Sequence, residues 1–227
     1  TARLYTDHAL LTSDKRITRE VERLFTFYHD NYITGHYENL IVSPFNTRKR
    51  FMKMIDQEIE HAKAGEPAWI MLKMNSLSDL EMIERLYAAG KAGVKIWLIV
   101  RGVCSLVSDY PAWQENIRVI SIVDRFLEHS RIFVFCNGGD ERYFLSSGDW
   151  MYRNLDHRSE VAVPIYDKEI QQQLIKYLEL QLNDNIKGRL LDSRLSNQYN
   201  DGDPKRRHRS QEEIYQWIKS LARKTAE

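Results

Sequence analysis

The feature that most constrains the fold is an alternation of short apolar runs with amphipathic stretches between residues 40 and 100. The apolar runs at 40–43, 69–74 and 94–100 have the length of buried strands. The stretches between them repeat apolar residues every three or four positions, which is typical of helices packed on a core. Strand, helix, strand, helix, strand predicts right-handed crossovers and a parallel sheet core.

The rest of the chain predicts further helices and an antiparallel part of the sheet. Ser13 or Asp14 begins an amphipathic helix that ends near residue 29, and Ser78-Asp79-Leu80-Glu81 has the pattern of a capping box. We expect further helices over 47–64 and 168–182, and a last helix from Ser210 with Glu213 as the capping partner of that helix. Strands that are largely antiparallel are expected over 117–122, 131–135, 142–146 and 160–164. The predicted fold class is α/β, with a mixed sheet flanked by helices.

Composition excludes several classes of protein. With 43% hydrophobic and 29% charged residues, the 227-residue chain has the composition of an ordinary soluble globular protein. No apolar run is long enough to span a membrane, and no signal peptide pattern is present. Cys104 and Cys136 both lie in apolar runs, so we expect a reducing cytoplasm rather than a disulfide framework. The histidines show no metal-ligand spacing, which argues against a structural zinc site.

The net charge of +1 predicts no polyanion partner, yet the cations are locally bunched. One group is Arg48-Lys49-Arg50, and the other lies at 205–209. The default interpretation is a helix start and a solvated loop. Together with Arg101 and Arg131, these groups would instead line a phosphate-binding groove.

His129 and Arg131 form the one arrangement in the sequence that suggests chemistry. If the run at 130–135 is extended, both side chains project from the same face, because side chains repeat every two residues along a strand. A guanidinium offers a planar fork to phosphate oxygens, and an imidazole can donate, accept or attack. The alternative is a surface histidine beside an arginine in a structural ion pair.

Arg101 and Tyr5 are further candidates. Arg101 ends the strand at 94–100, so it lies at the rim where ligands collect in open α/β sheets, with Gly102 allowing close approach of the backbone. The alternatives are a structural ion pair for Arg101 and a core role for Tyr5. Asp149 and Asp156 would orient a histidine or a metal, although loop carboxylates usually do neither. The sequence has no phosphate-binding glycine cradle of the standard kinds.

Four long motifs resemble one known family. They are Thr1-Ala2-Arg3-Leu4-Tyr5-Thr6-Asp7, Arg101-Gly102-Val103-Cys104-Ser105-Leu106, Ser121-Ile122-Val123-Asp124-Arg125-Phe126-Leu127-Glu128-His129-Ser130-Arg131 and Ser146-Ser147-Gly148-Asp149-Trp150-Met151-Tyr152-Arg153-Asn154. In this order they resemble the C-terminal part of the bacterial polyphosphate kinases, and the resemblance spans essentially the whole chain.

The resemblance implies an architecture and an activity. Two C-terminal domains of that family resemble the phospholipase D fold, so we expect residues 1–40 to be the tail of the first and residues 41–227 to be the complete second. The family moves the terminal phosphate of ATP reversibly onto polyphosphate through a phosphohistidine, with Mg²⁺. That histidine and the magnesium-binding residues are expected upstream of Thr1, so we expect a fragment of a longer protein that is inactive alone.

The resemblance also implies roles for individual residues. Tyr5, Arg101 and His129 match ATP-binding residues, His129 is the expected catalytic residue, and Arg131 is an expected phosphate contact. His129-Ser130-Arg131 is similar to a phospholipase D half-motif but carries Arg in place of Lys, with Cys136 where a carboxylate or amide would fall. The alternatives are a phospholipase D-like phosphodiesterase or nuclease, and a non-catalytic polyanion-binding module. We expect ATP, ADP and polyphosphate as partners, no specific nucleic acid, and a homo-oligomer in the full-length protein. The expected location is the cytoplasm, with the periphery of the inner membrane as the alternative.

Overall fold

A single mixed sheet forms the centre of the molecule. The structure, a computed structural model, describes residues 4–201 and 206–224. Within these residues the strands of the sheet follow the spatial order β10-β5-β4-β3-β7-β8-β9-β2. Their bounds are β2 Ile41–Val42, β3 Trp69–Met74, β4 Lys95–Val100, β5 Ile117–Ile122, β7 Arg131–Phe135, β8 Arg142–Ser146, β9 Val161–Ile165 and β10 Gly188–Leu190. The prediction of an α/β fold with a mixed sheet is confirmed.

Helices cover both faces of this sheet. They are α1 Lys15–His29, α2 Thr47–Lys63, α3 Leu80–Lys91, α4 Tyr152–Asp156, α5 Lys168–Leu182 and α6 Ser210–Lys224. The apolar sides of α2 and α3 pack on one face, around buried Phe51 and Leu86. On the other face α5 and α6 cover buried Met71 and Ile99. No described helix has the length and apolar character needed to cross a membrane.

Two strand predictions were wrong in direction. We expected the run at 40–43 in the parallel core, but β2 pairs antiparallel with β9 at the sheet edge. A two-residue strand makes few ladder hydrogen bonds, so burial of its side chains decides its place. The strand β5, expected in the antiparallel part, pairs parallel with β4. Residues 101–116 connect these two strands without an α-helix, yet they are long enough for a crossover.

Helix starts agree with the predictions except in their capping details. Asp14 caps α1 by accepting from the backbone N–H of Arg16. The N-cap of α3 is Asp79 and not Ser78, the N-cap of the predicted capping box. Its Oδ1 accepts from Met82 N at 3.1 Å. The helix predicted from Ser210 is confirmed, but Glu213 is not its capping partner: the backbone N–H and the Oγ of Ser210 donate to Asp184 at 2.8 and 2.6 Å.

A second, two-stranded sheet lies beside the main one. Strand β1, Tyr5–Thr6, pairs parallel with β6, Leu127–Glu128. The ladder is extended by His129 N, which donates to Thr6 O at 2.9 Å. Because this pairing fixes the register of the two segments, it brings residues 5–7 next to His129.

Candidate functional site

Polar side chains converge where the parallel strands end. Asn75 follows β3, Arg101 follows β4, and the antiparallel neighbour β7 begins with Arg131 at the same edge. We call the following residues the carboxyl-edge cluster: Tyr5, Asn75, Arg101, His129, Arg131 and Asp149. The crevice beyond the carboxyl ends of the strands is the usual ligand position in open α/β sheets.

The buried side chain of Asn75 connects this cluster. Its Oδ1 accepts from Arg101 Nε at 3.0 Å, and its Nδ2 donates to the carbonyl of His129 at 3.3 Å. The backbone N–H of Asn75 donates to Asp149 Oδ1 at 2.8 Å. Arg101 and His129 are therefore anchored to one amide group, on the same edge of the sheet.

Arg131 bridges a carboxylate and an imidazole. Its Nε and Nη2 donate to Asp149 Oδ1 and Oδ2 at 3.1 and 3.3 Å. Its Nη1 lies 3.1 Å from His129 Nδ1, which confirms that these two side chains project to the same side. The guanidinium is largely buried, at 12% exposure, and the paired Asp149 satisfies its charge. A planar fork suits this double contact because its donors are fixed in direction.

The imidazole of His129 is half-exposed and has three neighbours. The Tyr5 ring lies edge-on, with 5.4 Å between ring centroids. Asp7 Oδ2 lies 3.4 Å from the same Nδ1 atom that Arg131 approaches. Since Nδ1 carries either a proton or a lone pair, it can donate to Asp7 or accept from Arg131, but not both. No described residue hydrogen-bonds Nε2, so this nitrogen of the half-exposed ring is available to a ligand.

Arg101 presents donors that the described residues leave unused. Of the guanidinium nitrogens, only Nε donates a hydrogen bond to a described residue, Asn75. The side chain is half-buried. The neighbouring Gly102 donates from its N–H to Asn75 O at 2.8 Å. A Cβ at position 102 would lie 2.9 Å from that same oxygen, so the close backbone contact requires glycine.

Comparison with known proteins identifies the family of the chain. Residues 40–211 match the family described as polyphosphate kinase C-terminal domain 2. The chain belongs to the polyphosphate kinase family. A polyphosphate kinase from Yersinia pestis is 51% identical over 97% of this chain, and one from Escherichia coli K12 is 47% identical over the same share. The alignment covers 32% of each of these two relatives.

A crystal structure of polyphosphate kinase from Porphyromonas gingivalis has the same fold. It superposes with a TM-score of 0.88 at 42% identity, covering 92% of this chain and 32% of that one. A phospholipase D family member from Salmonella typhimurium is also among the structural neighbours, at 16% identity and a TM-score of 0.48. That similarity adds nothing to the family assignment.

The structure brings together Tyr5, Arg101, His129 and Arg131, whereas two of the bunched cations are paired with carboxylates outside this cluster. Arg48 is held by three carboxylates, those of Asp79, Glu81 and Asp156. Arg209 forms a bidentate pair with Asp124, at 2.8 Å for both contacts. The charges of these two arginines are therefore balanced by carboxylates of the chain, which argues against the predicted phosphate-binding groove, and Lys205 lies outside the described residues. Of the two predicted orienting carboxylates, Asp149 binds Arg131 and Asp156 binds Arg48.

Sequence reasoning missed Asn75 and Asp7. Asn75 is the first polar residue after a buried strand, which is the same signal that selected Arg101. Asp7 is remote from His129 in the sequence, and only the β1–β6 ladder brings them together. No local pattern in the sequence reports that ladder.

A buried ion pair lies beneath the cluster and was also missed. Lys73 Nζ is 3.4 Å from Glu128 Oε2, and the two side chains are 3% and 8% exposed. Glu128 also accepts from Tyr177 at 2.8 Å and from Gln211 at 3.0 Å. Burial lowers the pKa of the Lys73 ammonium, an effect that the Glu128 carboxylate opposes. Because Glu128 precedes His129, this network fixes the strand that carries the imidazole.

The carboxylates near the cluster do not fit a magnesium site. Both oxygens of Asp149 already accept hydrogen bonds from Arg131, and Asn75 N adds another. Asp7 is a single exposed carboxylate, whereas Mg²⁺ needs several oxygen ligands in an octahedral arrangement. Among the described residues no group of three or more metal-binding side chains occurs.

Proposed function

We propose that this chain is the nucleotide- and phosphate-binding part of a polyphosphate kinase, which moves the terminal phosphate of ATP reversibly onto a polyphosphate chain. The observation that carries the proposal is the anchoring of Arg101 and His129 to one buried amide, with nitrogens of both side chains left without a partner among the described residues. Phosphoryl transfer needs little covalent chemistry from the protein beyond alignment and neutralisation of charge. An arginine and an imidazole at one rim supply both.

Arg101 is assigned to the phosphates of ATP. Its Nη1 and Nη2 groups have no partner among the described residues, and such a fork matches two phosphate oxygens. Asn75 holds the Nε end, which limits the rotamers of the side chain and lowers the entropy cost of binding. Tyr5 is assigned to positioning the nucleotide, since its exposed ring borders the imidazole.

His129 is the proposed catalytic residue. When Nδ1 accepts from Arg131, the proton of the neutral ring is on Nε2, which then donates to an oxygen of the moving phosphoryl group. When Nδ1 instead donates to Asp7, Nε2 is free to exchange a proton with the leaving or attacking oxygen. Arg131 thus acts through His129, and the phosphate contact expected of it stays a prediction.

The remaining parts of the proposal concern the longer protein. The phosphate-accepting histidine and the residues that bind Mg²⁺ are assigned to positions upstream of Thr1. We also propose that residues 1–40 complete a first phospholipase D-like domain and that residues 41–227 form a second. A homo-oligomeric state and a cytoplasmic or peripheral inner-membrane location stay predictions.

The test is ATP-dependent growth of polyphosphate by the full-length protein. We expect His129→Ala and Arg101→Gln to reduce it at least ~100-fold, the range that positioned proton donors and charge clamps contribute. His36→Ala and Arg125→Gln are matched controls, because both residues are exposed and lie outside the cluster. Unchanged growth in both site variants would refute the proposal, and ATP-independent diester cleavage would support a phosphodiesterase instead. The 227 residues alone should show no transfer.

A further inference from the structure

The strand that leads into His129 lies outside the main sheet. Strand β6 belongs to the two-stranded sheet, in which β1 is its partner. Leu127 N and His129 N donate to the carbonyl oxygens of residues 4 and 6, at 2.7 and 2.9 Å. Because the N–H groups of successive residues in an extended segment point to opposite sides, one neighbouring strand bonds only every second residue. The segment around β1 therefore leaves the backbone of Phe126 to another partner.

The side chain of Gln211 is that partner. Its Oε1 accepts from Phe126 N and its Nε2 donates to Phe126 O, both at 2.9 Å. A residue pair in an antiparallel ladder exchanges two hydrogen bonds in the same way. Nε2 also donates to Glu128 Oε1 at 3.0 Å. One side-chain amide thus takes the place of a neighbouring strand and contacts two of the three residues that precede His129.

Gln211 is itself held firmly. It lies in the first turn of α6 and is 7% exposed. The residue before it, Ser210, is bound twice by the fully buried Asp184. Arg209, which directly precedes α6, forms its bidentate pair with Asp124 in the segment that leads to β6. A side chain supported in this way keeps its amide in one place, which is the condition for positioning another group precisely.

We propose that Gln211 is a positioning residue for the imidazole of His129. The inference rests on the proposed function, in which Nε2 of this ring contacts the moving phosphoryl group. Displacement of a reacting group by about 1 Å can lower a rate ~100-fold. Asn75 holds Arg101 through hydrogen bonds that do not involve Gln211. Loss of the Gln211 amide therefore impairs the chemical step and leaves the contact of Arg101 with ATP in place.

A purely structural role for Gln211 makes a different prediction, and Gln171 provides the comparison. Gln171 is 8% exposed, lies in the first turn of α5, and donates from Nε2 to Ile165 O at 2.7 Å. Ile165 ends β9, at the edge of the sheet opposite the carboxyl-edge cluster. Gln171→Met therefore removes a buried amide-to-carbonyl hydrogen bond without touching the segment that carries His129.

The test measures initial rates of ATP-dependent chain growth by the full-length protein over a range of ATP concentrations. Gln211→Met removes all three hydrogen bonds and keeps an unbranched side chain. We expect its kcat to fall about ten-fold or more, with a KM for ATP within about two-fold of the wild-type value. Gln211→Asn keeps the amide on a shorter side chain that cannot reach both partners, so its kcat should fall as well. This second variant decides the matter if Gln211→Met does not fold.

The control Gln171→Met should have the kcat and KM of the wild type. Wild-type kcat in the folded Gln211 variants would overturn the inference, and so would an equal loss of kcat in Gln171→Met, which would show a general effect of stability. A KM for ATP that rises as far as kcat falls would also overturn it, because the whole cluster would then be disturbed. Failure of the proposed function is distinguishable, since it would appear as full chain growth by His129→Ala. An inactive His129→Ala beside fully active Gln211 variants would overturn this inference alone.

Discussion

The Nη1 atom of Arg131 lies 3.1 Å from Nδ1 of His129. An arginine is always a donor, so this contact makes Nδ1 the acceptor and leaves the proton of a neutral ring on Nε2. Asp7, at 3.4 Å from the same nitrogen, favours the opposite arrangement. The choice between the two tautomers of the neutral His129 ring therefore depends on two oppositely charged neighbours, supplied by β7 and by the segment after β1.

The first prediction concerns the fork of Arg131. We expect Arg131→Lys to lower kcat by roughly ten-fold or more, because an ammonium cannot contact both oxygens of Asp149 and the imidazole of His129 at once. The measurement is the initial rate of ATP-dependent polyphosphate synthesis at saturating ATP. Arg125→Lys is the control, since Arg125 is exposed. Full kcat in Arg131→Lys would show that only the charge matters.

The second prediction concerns Asn75. Asn75→Ala should raise the KM for ATP by about ten-fold, the value of one lost hydrogen bond to a charged group, because Arg101 loses its anchor. Asn116→Ala removes a comparable bond, to Gly90 O at 2.8 Å, far from the cluster, and serves as the control. The control should lower stability without a change in KM. Equal KM values in both variants would contradict the anchoring role.

The third prediction concerns Arg48 and the pH dependence of stability. Burial alone raises the pKa of Asp79, but hydrogen bonds from Arg48 lower it below its usual value of 3.8. The stabilisation from this pair is therefore fully present above about pH 3.8 and is lost as the pH falls through the lower pKa of the folded state.

Arg48→Met should accordingly cost about 2 kcal/mol of the free energy of unfolding at pH 7, and less at pH 3. The measurement is urea unfolding at both pH values. Arg85→Met breaks the exposed pair with Asp56 and should cost about 0.5 kcal/mol or less. An equal loss at pH 7 and pH 3 for Arg48→Met would mean that packing, not charge, is responsible.

The fourth prediction concerns the buried pair of Lys73 and Glu128. Lys73→Met should destabilise the fold by about 3 kcal/mol, because it leaves a buried carboxylate without a cation. Lys73→Met combined with Glu128→Gln should recover a large part of that loss. Chemical unfolding of the wild type, both single variants and the double variant forms the cycle. Losses that simply add would show that the two side chains are not coupled.

The sequence predicted the elements of this fold better than their pairing. The predicted strand at 69–74 and helix at 168–182 coincide with the observed bounds, because the first is a near-continuous apolar run and the second has a long helical period. The direction of β5 and the edge position of β2 could not be obtained that way, since period and length are alike for parallel and antiparallel strands. Pairing depends on contacts between segments distant in sequence, such as Ile41 with Ala162.

The candidate site was predictable to the extent that its residues lie at strand ends or in recognisable motifs. Arg101, His129 and Arg131 satisfy one or both conditions. Asp7 lies in one of the recognised motifs, but its position relative to His129 depends on the tertiary β1–β6 ladder. The prediction from the bunched cations failed because a charge in a sequence does not reveal its ion-pair partner. Arg48 pairs with Asp79 and Asp156, which are distant from it in the sequence.

The central claim is that Arg101 and His129 contact the same transferred phosphoryl group. The most direct measurement is a crystal structure of the full-length protein with a non-hydrolysable ATP analogue. We predict oxygens of the terminal phosphate within about 3 Å of His129 Nε2 and of a guanidinium nitrogen of Arg101. A terminal phosphate bound elsewhere, with both side chains contacting protein alone, would contradict the account.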